Sequence, residues 1–492
     1  MHKIGDIRNG YEVLPKDKRK TVLLLSDDLR MTSGVGNMSR EFVLGTCHYI
    51  NWVQIGGAIS HPDNGKAIDM SQDISERTGV PDVDLKIHPT NGYGNPDLVR
   101  QCMNFYPLSG IMIYTDPRFW GWLFQMEHEI RQNIPIMYYN IWDSLPYPMW
   151  NQKYYDSVDA LFNISKQTVN IVKNVRSSYE DWQVTYIPHG INEKDYFPID
   201  KSYEKYDDFL KFKKDATQGR DKEFVLFYNA RNIRRKLVDD IVYAYKTFCD
   251  SLTEEEAAKC LLLLHCTPVD ENGTDLPELC RNLAPGYDVA FSGGKLEREQ
   301  MNWLYNSADC SILVSSNEGF GLMGTETLMC GVPLIVNVSG GMQDYCGFKK
   351  EDGSYLTTDD YTTEWGSNHD GRYKDHGEWV FPVWPSSRSL QGSPATPYIS
   401  DDRPDWQDVA IQIKKAWSER GEKLQAKGKA GYEYVTNPEF GFTASEMNRR
   451  FMEHMDAVWE NFKPRQRVMI DNATKWDYKL PKWNGLTMTK EI

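Results

Sequence analysis

The sequence predicts an α/β protein made of two domains with largely parallel sheets, and three observations predict it. Short, wholly apolar runs alternate with stretches of helical periodicity, the pattern of buried parallel strands and their crossover helices. That alternation restarts after the turn Pro188-His189-Gly190. A chain of 492 residues also exceeds what one hydrophobic core ordinarily holds. The expected domains are therefore residues 1–185 and residues 186–492.

In the first half, Thr21–Leu25 reads as a strand, followed by a polar loop at Ser26–Ser33. Gly34–Gly36 then opens a helix over Asn37–Gly45. Tyr49–Ile55 is a second strand, ending at Gly56-Gly57. Gly110–Tyr114 and Ile134–Tyr139 are buried strands that run into Asp116-Pro117 and Trp142-Asp143. Loops at the carboxyl ends of parallel strands are where open α/β sheets bind ligands. After Val184–Ile187 and a charged stretch, Lys201–Lys222, the second half reads strand Phe224–Tyr228, helix Val238–Cys249 and strand Leu261–His265. Strands Val289–Phe291, Ser311–Val314 and Pro333–Val336 follow. Residues 347–405, rich in Gly, Asp, Ser, Pro and Trp, read as a long insertion with little regular structure. Helices return at Trp406–Ser418 and Ala444–Phe462 and are expected to cross back to the first domain.

Composition excludes several classes. Hydrophobic residues are 40% and charged residues 26%, so the chain is neither disordered nor fibrous. With 56 Lys and Arg against 70 Asp and Glu, the net charge of −14 does not suit non-specific binding to nucleic acid or an anionic membrane. The longest aliphatic runs, Val22–Leu25 and Leu261–Leu264, fall far short of the ~20 residues that span a bilayer. The amino terminus lacks the apolar core of a secretory signal. Nine cysteines without a CxxC pair or zinc-like spacing fit a reducing compartment, and a cytoplasmic location is expected.

Three loops carry chemistry. Ser33-Gly34-Val35-Gly36-Asn37 precedes a helix whose amino end offers unpaired N–H groups to a phosphate. It is not a dinucleotide fingerprint, because Ser39 stands at the third glycine and no acidic residue ends the second strand. That argues against an NAD-binding oxidoreductase. Arg231-Asn232-Ile233-Arg234-Arg235-Lys236 places four cations after a strand, a pattern suited to a diphosphate. Ser315 to Glu326 sets Glu318 and Glu326 on either side of a glycine-rich turn leading into a helix. Carboxylates accept paired hydroxyls, so a sugar or ribose is the expected partner. Asp82-Val83-Asp84 reads as a solvated loop. His128, His265 and His369 lack ligand-like spacing, so no metal site is expected.

The third loop resembles the Glu-x7-Glu signature of family-four retaining nucleotide-sugar glycosyltransferases. Ser307-Ala308-Asp309, Gly331-Val332-Pro333, Gly340-Gly341, Phe291-Ser292-Gly293 and Tyr186–Asn192 resemble further motifs of that family. The likeness is strong over residues 184–346, weaker over 20–150, and fails across 347–405 and after about 465. It implies the GT-B fold, two Rossmann-like domains facing across a cleft, with the donor held mainly by the second. It also implies transfer of a sugar from a nucleoside diphosphate to an acceptor hydroxyl, with retention and without a metal or any cofactor beyond the nucleotide-sugar co-substrate. Carried over by position, Arg231 and Lys236 hold the diphosphate, and Glu318 with Gly319, Phe320, Gly321 and Leu322 holds the donor sugar. Glu326 holds the ribose, and Gly34 and Gly36 face the donor across the cleft. Trp142 stands where the family has a histidine, which makes Asp143 the candidate substitute. The acceptor is left open among a glycan, a protein, a small molecule and a hydroxymethylated base in DNA, the last as in phage-type DNA glycosyltransferases. A non-catalytic sugar-nucleotide-binding protein is the alternative of another class. The insertion, with Trp365, Trp379 and Trp384, is expected to select the acceptor.

Overall fold

The computed structural model describes residues 10–58, 60, 62–363 and 367–466. Two sheets organise it. The first has the order β3-β4-β2-β1-β5-β6-β7-β8. Its strands are β1 Lys20–Asp27, β2 Ile50–Gly57, β3 Ile68–Asp69, β4 Leu85–Pro89, β5 Leu108–Tyr114, β6 Ile136–Asn140, β7 Ala160–Asn163 and β8 Val184–Tyr186. All pairings are parallel except that of β3 with β4. The second sheet, β11-β10-β9-β12-β13-β14, is parallel throughout. Its strands are β9 Phe224–Asn229, β10 Cys260–His265, β11 Val289–Phe291, β12 Cys310–Leu313, β13 Leu334–Asn337 and β14 Val380–Val383. These are two Rossmann-like domains, as GT-B requires.

Period-two side-chain alternation explains why the central strands read as unbroken apolar runs. In β1, Val22 and Leu24 enter one core while Leu23 and Leu25 enter another on the opposite face. In β10, Leu261 and Leu263 face one core, and Leu262 and Leu264 the other. A strand covered on both faces has no solvent side to carry polar residues.

Two readings are corrected. The charged stretch contains a helix, Tyr206–Ala216, which buries only Phe209, so its apolar stripe is too narrow to stand out. Residues 347–405 are not mostly irregular. Within them β14 completes the second sheet, and a hairpin of β15 Pro385–Ser393 and β16 Thr396–Pro404 projects from it. β14 is four residues long and contains Pro382, while β15 is exposed along nearly its whole length. Neither therefore shows the apolar alternation that marks a strand. Trp365 lies outside the described residues.

The chain passes between the sheets twice, and the two passages pair. The Ile191 N–H donates to the Phe442 carbonyl at 2.9 Å and the Ala444 N–H to the Ile191 carbonyl at 2.8 Å. Beyond that point the helix Ala444–Asn461 packs on the helix Gly34–Thr46, with the rings of Phe42 and Phe451 5.1 Å apart. Trp459 Nε1–H donates to the Ser109 carbonyl at 2.8 Å, and the Tyr49 hydroxyl to Asp456 at 2.8 Å. Among the described residues no helix is long and apolar enough to cross a membrane.

Candidate active site

The carboxyl ends of the two sheets face one another. On the second-domain side, β9 ends at Asn229 and the cationic loop turns through a single 3-10 turn, Arg234–Lys236. Leu237, at φ 53°, closes it in the left-handed region. A leucine held there costs about 1–3 kcal/mol, which the surrounding packing must offset. The turn sets Arg235 and Lys236 side by side over Glu318. Lys236 Nζ pairs with Glu318 Oε1, and an Arg235 guanidinium nitrogen lies 2.9 Å from Oε2. The loops are locked together as well: the Ser316 N–H donates to the Arg235 carbonyl at 2.8 Å, and the Arg235 guanidinium to the Asn317 carbonyl at 3.1 Å.

Glu318 is 6% exposed. Burial alone would push its carboxyl up, but the Lys236 ammonium and the Arg235 guanidinium outweigh burial and hold its pKa at about 2. The carboxylate is thus ionised at any working pH. Arg231 goes elsewhere: its side chain is 62% exposed and pairs with Asp270 at 2.9 Å. Of the two cations expected together, Lys236 reaches Glu318 and Arg235 takes the second place. Arg235 was visible in the run of four cations, but nothing in the spacing singled it out.

After Glu318 the backbone turns at Gly319. A Cβ on Gly319 would lie 2.8 Å from the Ile141 carbonyl oxygen of the first domain, so any side chain there would wedge the domains apart. Gly321, at φ 80°, starts the helix Leu322–Met329 without a side-chain cap. Phe320 is buried with its ring edge-on to His189 at 5.2 Å. One turn along that helix, Glu326 accepts the Tyr305 hydroxyl, which itself accepts a hydrogen bond from Asn229 Nδ2 at 2.8 Å. Burial raises the Glu326 carboxyl, and the hydroxyls of Tyr305 and Tyr196 and the charge of Arg298 oppose it.

The first domain supplies the opposite wall. Ser33 caps the helix Gly34–Thr46 by accepting the Gly36 N–H at 2.9 Å, and donates its own hydroxyl to Asp27 at 2.7 Å. A Cβ on Gly34 would sit 3.8 Å from Leu322 Cδ1, so the two glycine-bearing loops meet across the cleft. At the end of β6, Trp142 is buried, its Nε1–H bonded to the Ser144 carbonyl at 2.9 Å. Asp143 faces the ion cluster. Burial raises its pKa to about 6; the Arg235 charge opposes that rise and Glu318 adds to it. Ser144 Oγ–H donates to Asp143 at 3.1 Å, and Asn317 Nδ2–H donates to Ser144 Oγ at 2.8 Å.

The structure therefore brings together Lys236, Glu318, Asp143, Gly319, Phe320, Gly321, Leu322 and Gly34. Gly36 lies one residue pair behind Gly34, and Arg231 sits on the rim. In the sequence His189 stands out only as part of the turn Pro188-His189-Gly190. It lies fully inside, its Nδ1 2.7 Å from the Tyr139 hydroxyl, and burial drops its pKa to about 3, so the ring is neutral. Among the described residues no three His, Cys, Asp or Glu side chains are grouped to hold a metal ion.

Two adjacent cations paired with one buried carboxylate, with Asp143 facing them, form a polar site suited to a dianion beside a polyol. Residues 211–359 match the profile of the family described as glycosyl transferases group 1. This segment is similar to a glycosyltransferase group 1 domain. It contains Arg231, Lys236, Glu318 and Glu326, and the first-domain wall lies outside it. An uncharacterized glycosyltransferase of Methanocaldococcus jannaschii is 26% identical over 190 residues, 39% of this chain. That match spans 45% of the relative's length. Solved structures share the fold of most of the chain. Anabaena HepE in complex with UDP and glucose superposes with a TM-score of 0.60 at 12% identity, over 89% of this chain and 100% of its own. Sucrose-phosphate synthase of Thermosynechococcus elongatus gives 0.62 at 15%, over 90% and 100%. The trehalose 6-phosphate synthase of Burkholderia multivorans gives 0.58 at 10%, over 90% and 99%.

Proposed function

We propose that the chain is a retaining glycosyltransferase that moves a hexose or pentose from a nucleoside-diphosphate sugar to an acceptor hydroxyl. The observation that carries this is the Lys236–Glu318–Arg235 cluster, set beside Asp143 where the two sheets face each other. Without donor, Glu318 pairs with both cations. A bound diphosphate takes over Lys236 and Arg235, with Arg231 approaching from the rim, and frees Glu318 to accept hydroxyls of the transferred sugar. As the glycosidic bond breaks, negative charge grows on the leaving diphosphate, and fixed cations stabilise that charge more than the ground state. The amides at Phe320–Leu322 add donors to the sugar. In this scheme the protein's own cations supply the charge that a metal supplies elsewhere. The acceptor attacks from the same face as the leaving group, its hydroxyl oriented by Asp143, and its proton passes to the departing diphosphate oxygen. Thermal-shift screening with UDP-, GDP-, ADP- and dTDP-sugars, followed by NMR of the anomeric centre in the product, tests the proposal. An inverted product, or no stabilisation by any donor, rejects it.

Glu326 is assigned to the nucleotide ribose. Such a contact is equally present in ground and transition states, so it acts as uniform binding. Glu326→Ala is expected to raise donor KM about tenfold or more with kcat within about threefold. Initial rates across donor concentration check this, and an unchanged KM with collapsed kcat rejects the assignment.

The acceptor is proposed to be an uncharged carbohydrate or other small hydroxyl compound. At the carboxyl ends of β4 and β5, Tyr93 and Phe119 stack at 4.4 Å and 6°, with Phe119 47% exposed, a platform of the kind sugars pack on. The arginines near this side are neutralised: Arg30 by Asp28 at 2.6 Å and Arg118 by Asp116. Transfer is therefore expected to change less than about twofold between 50 and 200 mM salt, whereas a DNA acceptor gripped through several phosphates loses orders of magnitude. Steep salt dependence would point to modified DNA instead. The cytoplasm is the proposed compartment, since all nine cysteines are unpaired.

A further inference from the structure

The β15–β16 hairpin belongs to neither sheet, yet hydrogen bonds join it to both domains. At its root, Asp402 is fully buried and both carboxylate oxygens are occupied: Ser339 Oγ–H donates to one at 2.7 Å and Ser400 Oγ–H to the other at 2.9 Å. Its backbone N–H donates to the Ser316 carbonyl at 3.2 Å, and its carbonyl accepts Asn337 Nδ2–H at 3.0 Å. The root is thus knitted to the loop that carries Glu318. Along the shank the contacts change sides. The Ser400 N–H donates to the Leu145 carbonyl at 2.7 Å, and the Tyr398 hydroxyl to the Tyr147 carbonyl at 2.8 Å. The Tyr398 ring stands edge-on to Trp150 at 4.4 Å, and Ile399 packs against the first-domain core that includes Trp142 and Leu145.

These bonds close a ring. From Asp143 the path runs through Ser144 to Asn317 and Ser316, then to Asp402, Ser400 and Leu145, and back along the chain to Asp143. Two sides of the ring are the candidate catalytic loops, and the hairpin is the third. We infer that the hairpin is a strap that fixes the Asp143 loop against the Glu318 loop, with Asp402, Ser400 and Tyr398 as positioning residues for the proposed transfer. Asp402 touches no reacting atom; its carboxylate holds Ser339 and Ser400, and so sets the backbone N–H that bonds the Ser316 carbonyl of the Glu318 loop. The inference rests on the proposed function only for its catalytic consequence.

Hydrogen exchange tests the mechanical part without any assay of activity. Asp402→Ala is expected to speed amide exchange at least tenfold at 141–147 and 315–319, with β1 and β10 unchanged. Tyr398→Phe, which keeps the ring and loses one hydrogen bond, is expected to speed exchange at 141–147 alone. Exchange unchanged in both variants, or faster only within 385–404, overturns the strap. Kinetics test the positioning part, with rates divided by the number of donor-binding sites titrated calorimetrically so that misfolded protein does not count. Asp402→Ala is expected to lower kcat per site at least tenfold while donor Kd stays within twofold. Asp402→Asn, which can still accept from one serine and donate to the other, is expected to recover most of it. Leu390→Ser on the exposed outer strand is the control for surface damage. Rates per site within twofold of wild type in both Asp402→Ala and Tyr398→Phe reject positioning. If wild type neither binds nor hydrolyses any donor, the proposed function fails while the exchange result still decides the strap.

Discussion

Lys236→Ala is expected to lower kcat by roughly 100- to 1,000-fold, the range seen when one preorganised charge stabiliser is removed. The side chain is 13% exposed and pairs directly with Glu318, so no solvent cation takes its place at low cost. In the proposed transfer the ammonium meets the leaving diphosphate most strongly when the sugar bond is breaking, so the loss falls on kcat rather than donor KM. Arg231→Ala should cost less, because that guanidinium starts on the rim, bound to Asp270, and reaches the donor only by changing partner. Arg235→Ala should fall between them. Steady-state kinetics on all three variants check the order. Turnover in Lys236→Ala within about threefold of wild type would remove the leaving-group role.

Glu318→Ala is expected to abolish transfer and also to destabilise the fold by about 3 kcal/mol. Removing one partner of a buried ion cluster strands the others, and the half-exposed Arg235 keeps the cost at the low end of the usual range. Lys236 and Arg235 would then face each other without an anion between them. The effect has a pH signature. The folded-state pKa of Glu318 is about 2, below its ordinary 4.5, so its stabilising contribution is complete above about pH 4.5 and fades as pH falls toward 2. Urea unfolding of wild type and variant should therefore show a gap at pH 7 that narrows below pH 4. A gap that is constant with pH would mean that the carboxylate charge is not the stabilising element. Glu318→Gln separates volume from charge and should behave like the alanine variant in activity.

The sheets were legible because strands covered on both faces are written as unbroken aliphatic runs, such as Val22–Leu25 and Leu261–Leu264. Glu318 was legible as a candidate through its place at a glycine-rich turn, and Lys236 through the run of four cations after a strand and the family resemblance. Arg231 and Arg235 are told apart by one 3-10 turn closed by Leu237 in the left-handed region, a backbone choice that leucine does not advertise. The hairpin stayed hidden for a different reason. Its outer strand is exposed on both faces, and its inner strand is held by backbone carbonyls at Leu145 and Tyr147, which leave no trace in residue type. Asp402 was equally silent, because a buried aspartate satisfied by two serines looks like any loop aspartate until the fold is known.

The paired passages at Ile191 and Phe442–Ala444 limit how the cleft can open. A single connecting segment is a tether about which one body can swing and twist in any direction. Two segments hydrogen-bonded side by side act as a door hinge: bending across the pair is soft, while twisting about it strains the bonds between them. Gly190 tightens the pin, since a Cβ there would lie 2.4 Å from the Thr443 carbonyl oxygen. Twisting between the domains is thereby opposed more strongly than bending across the pair. Bending across the pair carries Gly34 away from Leu322, and the β15–β16 hairpin, bonded to both domains, bounds that movement at the Asp143 and Glu318 loops.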